Sequence, residues 1–366
     1  MKRLFLLITI FFGAISASAA TKVDVEYAEE TELVGIVSHL ADIPGHNFTE
    51  DVLADYLAEV DSVFAAYRTH EAVKFAREQL MYEGFNWNFP MAVALRLKIV
   101  DGKIVYDKTL VPDYEDYYDR ISRENEQHFL ALLQDFYDAT NFHSFFESHR
   151  ALYSECEAAM QKVVDEIDFG WYDRFFGPRE NSSFRIYLAI LIGPGNYSVS
   201  QKHVDGSESV NAVMGCCSLD ENGRIFYGMH YTLPIIIHEC NHSYCNALNE
   251  EFWEQLEPKA TEIFKRNAKF YDSIAYGSPR LVMDETFVEA CVVRYLMSHP
   301  IDMHGYTLED WIKMDEVDKR FVMIRDVIRV LDEREKQLDR YPTMRAFMPR
   351  YVETVKNFDA AAKTIS

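Results

Sequence analysis

The spacing of apolar and polar residues predicts a chain built mainly from amphipathic helices. Between Thr49 and Tyr67, apolar residues recur three and four positions apart, which places them along one face of a helix. Thr49 is a suitable residue to begin this helix, and Gly84 marks the end of the helical stretch that follows. Comparable helical patterns cover 32–41, 70–81, 113–169, 251–271, 281–297, 308–338 and 344–362.

Strand patterns are restricted to a few short stretches. Asp101 and Gly102 separate two apolar runs, which is typical of a β-hairpin. The strongest strand pattern runs from Ser183 to Ile192 and ends at a stretch rich in glycine. Two further strands are predicted at 210–218 and 224–227, directly before the most informative helix of the chain.

The order of these elements predicts an α+β fold that is mainly helical, with a small, mostly antiparallel sheet beside the helix that follows the strands. After a leader at 1–19, the chain divides into a helical N-terminal region at 20–170 and a second region at 171–366. The sequence has no long linker, internal repeat or low-complexity tract, so we expect the two regions to pack as one compact unit.

The N-terminus has the three parts of a secretory signal peptide. Basic residues come first, an apolar run from Leu4 to Phe12 follows, and small residues occupy positions 16–20. We expect cleavage after Ala19 and a secreted or periplasmic protein. No cysteine stands at the cleavage point, which argues against a lipid anchor. No later segment reaches 18 apolar residues, so we expect no membrane span.

The chain is strongly acidic, with a formal net charge of −22 at pH 7. Because like charges repel, an acidic surface disfavours binding to nucleic acid and to anionic membranes. We therefore expect neither of these as a partner. The sequence leaves the oligomeric state open.

The cysteines do not form the regular pattern of a disulfide framework. An exported protein meets conditions that permit disulfides, and an even number of cysteines allows several pairings. A chain of this length does not need such bonds to hold its fold, so we expect buried free thiols at most positions. The six cysteines are Cys156, Cys216, Cys217, Cys240, Cys245 and Cys291.

The segment from Thr232 to Tyr244 contains the pattern His-Glu-x-x-His within a predicted buried helix. His238 and His242 lie one turn apart on one face, where two imidazoles can hold a zinc ion. Glu239 lies beside that position, where its carboxylate can take a proton from a zinc-bound water. The alternative is a buried helix with two hydrogen-bonded core histidines. Three isoleucines precede the motif, and polar groups buried there without a partner are costly, which favours a metal.

A zinc site needs at least three protein ligands. The residues after His242 supply no third histidine at the spacing of metzincins. A second apolar helix, from Leu281 to Tyr295, carries Glu285 and Glu289 one turn apart on a shared face. Periodicity does not separate these two glutamates, and a solvated helix face is the alternative interpretation of the segment.

These two motifs resemble those of the gluzincin zinc metallopeptidases, including thermolysin-like enzymes and zinc aminopeptidases. The resemblance implies a zincin-like fold in which His238, His242 and Glu285 bind zinc and Glu239 is the general base. It also implies that Glu289 accepts a hydrogen bond from a zinc-bound histidine. The interval of 43 positions between His242 and Glu285 is longer than in those families, and the exopeptidase signature Gly-x-Met-Glu-Asn is absent. The whole chain also resembles a family of secreted bacterial proteins grouped as a domain of unknown function.

The resemblance implies a secreted zinc-dependent metallopeptidase that acts on a peptide or protein substrate. The alternatives are a zinc hydrolase with a non-peptide substrate, a secreted binding protein with a structural zinc, and a metal-free helical scaffold protein. An extended peptide would bind along an edge strand, for which we expect residues 184–192. The donor that stabilises the oxyanion stays open among Tyr276, His230, Arg280 and Arg294.

The signal-peptide prediction has a direct test. Export should remove the first 19 or 20 residues, because the basic, apolar and small-residue parts are all present. N-terminal sequencing of the exported protein should begin at Ala20 or Thr21. An exported protein that still begins at Met1 would contradict the prediction.

Overall fold

The computed structural model of the chain describes residues 23–46, 53–112, 117–193, 195–215, 217–274 and 276–360. The predicted signal peptide at 1–19 and the predicted helix start at Thr49 lie outside these residues. Within them, the expected mainly helical α+β fold is confirmed. None of the described helices combines the length and the apolar character that crossing a membrane requires.

The N-terminal region is a set of helices of short and medium length. The predicted helical stretch at 113–169 is divided, because Asn141 adopts a left-handed conformation with φ of 52° and ends one helix as the next begins. The helices are α1 Glu29–Leu40, α2 Ala54–Phe64, α3 Glu71–Phe75, α4 Met81–Glu83, α5 Phe89–Ala94, α6 Arg123–Thr140, α7 Phe142–Ser148, α8 Arg150–Val164 and α9 Gly170–Phe176.

The C-terminal region contributes the longer helices. Two of its helices, α10 and α12, pack against each other along their length. The helices are α10 Met229–Glu251, α11 Trp253–Ser273, α12 Pro279–Ser298, α13 Leu308–Lys313, α14 Ile324–Glu335 and α15 Met344–Lys356.

One apolar core serves both regions. Its buried residues extend from Val23 to Ala360 and include side chains of the N-terminal helices, the strands and the C-terminal helices. The predicted boundary at residue 170 falls at the first residue of α9.

The strands form one four-stranded sheet and two hairpins. They are β1 Val25–Glu26, β2 Leu97–Val100, β3 Lys103–Tyr106, β4 Ser182–Leu188, β5 Asn196–Lys202, β6 Glu208–Met214, β7 Ser218–Leu219 and β8 Ile225–Phe226. The order of the large sheet is β1-β4-β6-β5. The β1–β4 and β4–β6 pairs are parallel, whereas β5 runs antiparallel to β6. The antiparallel pairing that was predicted is found in the two hairpins and between β5 and β6. The four-stranded sheet as a whole is mixed.

The strand expected at the edge of the sheet lies inside it. β4 pairs with β1 on one side. On the other side it pairs with β6, from Ser182 opposite Glu208 to Leu188 opposite Met214. The two edge positions belong instead to β1 and β5, neither of which was predicted from the sequence. The strand β4 also ends at Leu188, before the predicted end at Ile192, because 190–192 form a short 3₁₀ helix.

Helices α10 and α12 carry the two predicted motifs. The helix α10 begins at Met229, three positions before the predicted cap at Thr232, so Pro234 lies inside the helix and not in its first turn. It packs against β5 and β6. The helix α12 begins at Pro279, two positions before the predicted start at Leu281: Ser278 accepts a hydrogen bond from the backbone N–H of Leu281 at 3.1 Å, and proline occupies the first helical position.

Packing of α12 against α15 offers a test of the core. Phe287 is fully buried, and its ring stacks on Tyr351 with the centroids 4.7 Å apart. We expect Phe287→Ala to lower the free energy of unfolding by about 3–5 kcal/mol, because it removes buried apolar surface and leaves a cavity. The matched control is Tyr82→Ala, which truncates a ring that is 84% exposed and should change stability by less than about 0.5 kcal/mol. Urea unfolding measures both, and equal losses would contradict the packing.

Candidate metal centre

The two histidines of the motif on α10 direct the same ring atom to one point. His238 and His242 lie one turn apart, and their Nε2 atoms are 3.1 Å apart. The ring planes are nearly perpendicular, at 83°, with the centroids separated by 4.7 Å. Both side chains are largely buried, with 18% and 15% of their surface exposed. The helical spacing therefore places both rings in one partly enclosed site.

The helix α12 brings Glu285 to the same point. Its Oε2 lies 3.5 Å from Nε2 of His238, and its Oε1 lies 3.6 Å from Nε2 of His242. Zinc bonds of about 2.0–2.1 Å in a tetrahedral site set neighbouring ligand atoms about 3.3–3.4 Å apart. The two ring nitrogens are 3.1 Å apart and each lies 3.5–3.6 Å from the nearer oxygen of the Glu285 carboxylate, so the three side chains are close to the spacing that one zinc ion requires.

The other nitrogen of each ring faces a hydrogen-bond acceptor. Nδ1 of His238 lies 3.3 Å from Oε1 of Glu289, and Nδ1 of His242 lies 3.2 Å from Oδ1 of Asn246. Each acceptor favours the tautomer that carries its proton on Nδ1. In neutral rings of this form, both Nε2 atoms present lone pairs to each other at 3.1 Å. Such an arrangement is repulsive unless a proton or a metal ion lies between them.

The electrostatics of the site favour a positive charge at this point. Burial lowers the pKa of His238, but the carboxylates of Glu289, Glu285 and Glu239 outweigh it and raise that pKa to about 9. A bare site therefore attracts a proton to the position where a metal ion would otherwise supply the charge.

Glu239 lies next to the histidines within the same buried space. One of its carboxylate oxygens lies within 4.8 Å of ring nitrogens of His238 and His242. The residue is only 6% exposed, and burial raises the pKa of its carboxyl group. Its charge also raises the pKa of Tyr197 on β5, after the larger effect of burial, so the edge strand lies close to this carboxylate. A carboxyl group held beside the two rings is suited to proton transfer at this site.

Glu289 is held by donors from the segment that follows α12. Lys319 Nζ lies 2.5 Å from its Oε1, and the indole N–H of Trp311 donates to its Oε2 at 3.4 Å. Burial raises the pKa of Glu289, but the charges of Lys319 and His238 outweigh it and hold that pKa well below its usual range. The ionised carboxylate therefore orients His238 through Nδ1.

Of the four residues considered as oxyanion donors, Tyr276 lies beside a predicted ligand. Its hydroxyl is 3.5 Å from Oε2 of Glu285, and burial, followed by the charge of Glu285, raises its pKa. The phenol thus stays protonated and can donate a hydrogen bond. Arg280 and Arg294 are both engaged in ion pairs with carboxylates, and His230 packs against another histidine ring.

The sequence analysis missed several residues that surround the histidines. Asn246 had a usable signal, because it stands four positions after His242 and so on the same face of α10. No sequence signal identified Lys319 and Trp311, because the single helix predicted at 308–338 is wrong. The chain there forms α13, a π-helical segment at 314–318 and then α14. Lys319 directly follows the π-helical segment and contacts Glu289.

Comparison with known proteins gives a family and no further relatives. The family model described as "Domain of unknown function (DUF4932)" matches residues 23–354. No curated protein and no solved structure matches the chain. The matched range spans most of the chain and includes both helices of the candidate centre, so the chain belongs to the DUF4932 family.

Proposed function

We propose that the protein is a secreted zinc-dependent metallopeptidase. The observation that carries the proposal is the convergence of the Nε2 atoms of His238 and His242, 3.1 Å apart, with the carboxylate of Glu285, whose Oε2 lies 3.5 Å from the first and whose Oε1 lies 3.6 Å from the second. Imidazole nitrogen and carboxylate oxygen are donors that suit zinc. Three protein ligands leave one position open, as a catalytic zinc site requires.

The surrounding charges support a metal rather than a structural histidine pair. Glu239, Glu285 and Glu289 are all buried around the two rings. Among the residues that the structure describes, Lys319 and, when protonated, His238 are cations that pair with this group, and Lys319 also pairs with the buried Asp315. Burying a carboxylate without a compensating charge costs free energy. A divalent cation between the rings and Glu285 would supply that charge and stabilise the site.

Zinc, when bound, would polarise a scissile carbonyl group and lower the pKa of a water molecule. Glu239 is placed to accept the proton from that water and to pass it to the leaving amine. Tyr276 is placed to donate a hydrogen bond to the oxygen that becomes negative in the transition state. Glu289 and Asn246 keep the rings oriented, since each accepts a hydrogen bond from a ligand Nδ1.

The edge strand β5 supports a peptide as the substrate. It ends the sheet order and pairs with β6, and the backbone carbonyl of its last residue, Lys202, also accepts a hydrogen bond from the N–H of Val111. Tyr197 on this strand lies close enough to Glu239 for the two charges to interact. An extended peptide that pairs with β5 as a further strand would therefore run past the proposed general base.

The first test concerns the metal and its ligands. The wild-type protein should bind about one zinc per chain, and His238→Ala and His242→Ala should lose it. Glu285→Ala should nearly abolish tight zinc binding, because it removes a ligand. Glu289→Ala should weaken zinc binding by about 10- to 100-fold, because it frees a ligand ring to reorient. Elemental analysis gives the stoichiometry, and competition with a chelating dye gives the affinity.

The matched control for these variants is Glu254→Ala, which changes an exposed glutamate on α11 and should leave zinc binding unchanged. A zinc content unaffected by both histidine variants would show that the metal site is wrong. A larger loss for Glu289→Ala than for Glu285→Ala would exchange the roles of the two glutamates and leave the peptidase proposal intact.

The second test concerns the general base. Glu239→Gln should retain the zinc and the fold, because the amide is nearly isosteric with the carboxylate. Hydrolysis of casein should fall by about 10²–10⁴-fold, because the amide does not accept the proton. Glu254→Gln is the matched control and should cleave at the wild-type rate.

Wild-type cleavage by Glu239→Gln would contradict the mechanism. Zinc binding by the wild type without hydrolysis of peptides or simple esters would favour the alternative of a binding protein with a structural zinc.

A further inference from the structure

Two cysteines meet at the contact between α10 and α12. The Sγ atoms of Cys245 and Cys291 lie 3.8 Å apart, and both residues are fully buried. The two positions are 46 residues apart in the chain, so the contact is made by the fold and not by local sequence. Cys240, on another face of α10, lies instead near the hydroxyl of Tyr172.

The location of the pair connects it to the candidate centre. Cys245 follows His242 by three positions on α10, and Cys291 follows Glu289 by two positions on α12. The cysteines thus lie within about one helical turn of the residues that the two helices bring together. A covalent bond here would fix the distance between the helix that carries the histidines and the helix that carries the glutamates.

We propose that Cys245 and Cys291 form a disulfide in the exported protein. The inference goes beyond the proposed hydrolysis and requires neither zinc nor catalysis. It rests on the sulfur–sulfur distance, the burial of both residues and the position of the pair between two packed helices.

The geometry requires only a small adjustment. A disulfide bond is about 2.05 Å long, so a gap of 3.8 Å has to close by roughly 1.8 Å, shared between two side chains. A rotation of roughly 30° about χ1 at each cysteine, directed toward the other sulfur, covers this distance and lies at the limit of the usual scatter about a staggered rotamer. Because both sulfurs are sealed from solvent in the folded chain, the bond has to form before α10 and α12 close on each other.

The oxidation is an ordinary thiol–disulfide exchange with a protein or small-molecule disulfide as the oxidant. The thiolate of one cysteine attacks the oxidant's S–S bond, forms a mixed disulfide and releases one thiolate. The second cysteine, as its thiolate, attacks the protein sulfur of that mixed disulfide and releases the other. Two electrons pass from the protein dithiol to the oxidant, and the two protons pass to the released thiols.

The decisive experiment uses the full exported chain. The protein is denatured without reductant, its free thiols are alkylated with iodoacetamide, and it is digested and mapped by mass spectrometry. We expect a peptide cross-linked through Cys245 and Cys291, and two fewer alkylated thiols than in a sample reduced first. Alkylation of both residues in the unreduced sample, or a cross-link from either one to a different cysteine, would overturn the proposal.

A second measurement tests the effect on stability. The bond closes a loop of 46 residues and restricts the unfolded chain, so reduction should lower the Tm of the wild type by on the order of 5–10 °C. The variant with both Cys245→Ala and Cys291→Ala should show no such drop, and Cys217→Ser, at a half-buried position, should retain it. An equal drop in the double variant would assign the effect to other thiols and overturn the proposal.

Both measurements can be made with zinc present and with zinc removed by a chelator. A cross-link in a protein that binds no zinc would leave this inference standing and refute the metal proposal. Zinc binding and hydrolysis in a protein with free thiols at both positions would refute the disulfide and leave the metal proposal standing.

Discussion

The structure depends on how it satisfies charged side chains buried along α12. From Val282 to Leu296 every residue of this helix is buried, including Asp284, Glu285, Glu289 and Arg294. Each charge placed in such an environment costs several kcal/mol unless a partner compensates it. Asp284 pairs with Arg280, Glu289 pairs with Lys319, and Arg294 pairs with carboxylates of α14. Glu285 faces the two histidines of α10 instead, so its compensation depends on the charge that those rings and any cation between them carry.

The local parts of this arrangement could be predicted from the sequence, because they depend on spacing alone. The interval between His238 and His242 places both rings on one face, and the apolar run around Glu285 and Glu289 indicates a buried helix. The start of α12 lies within two positions of its predicted start at Leu281. Each of these signals lies within a few residues of the position that it predicts, and tertiary contacts only reinforce it.

The remaining parts are set by contacts between distant segments, which spacing does not encode. The buried run Ile186–Leu188 is typical of a strand covered on both faces, yet it does not reveal that β4 lies between two parallel neighbours. The mostly polar sequence of β5 gives a weak strand signal, because only part of that edge strand is covered. The π-helical segment that continues α13 beyond Lys313 and ends just before Lys319 places Lys319 against Glu289, and the sequence has no obvious mark for it.

The orientation of the two histidine rings depends both on local sequence and on contacts between distant segments. Asn246, which fixes His242, lies on the same helix and moves with it, whereas Glu289, which fixes His238, belongs to α12. The position of one ring is therefore a local property of α10, and the position of the other depends on the contact between helices. That contact also includes the side-chain amide of Asn241, which donates to the backbone carbonyl of Val288 at 3.3 Å inside the core. A shift of α12 would move Glu285 and Glu289 together, so it would change a proposed ligand and the orientation of His238 at once. Rigid packing of α10 on α12 is thus the condition under which this set of side chains can hold a metal.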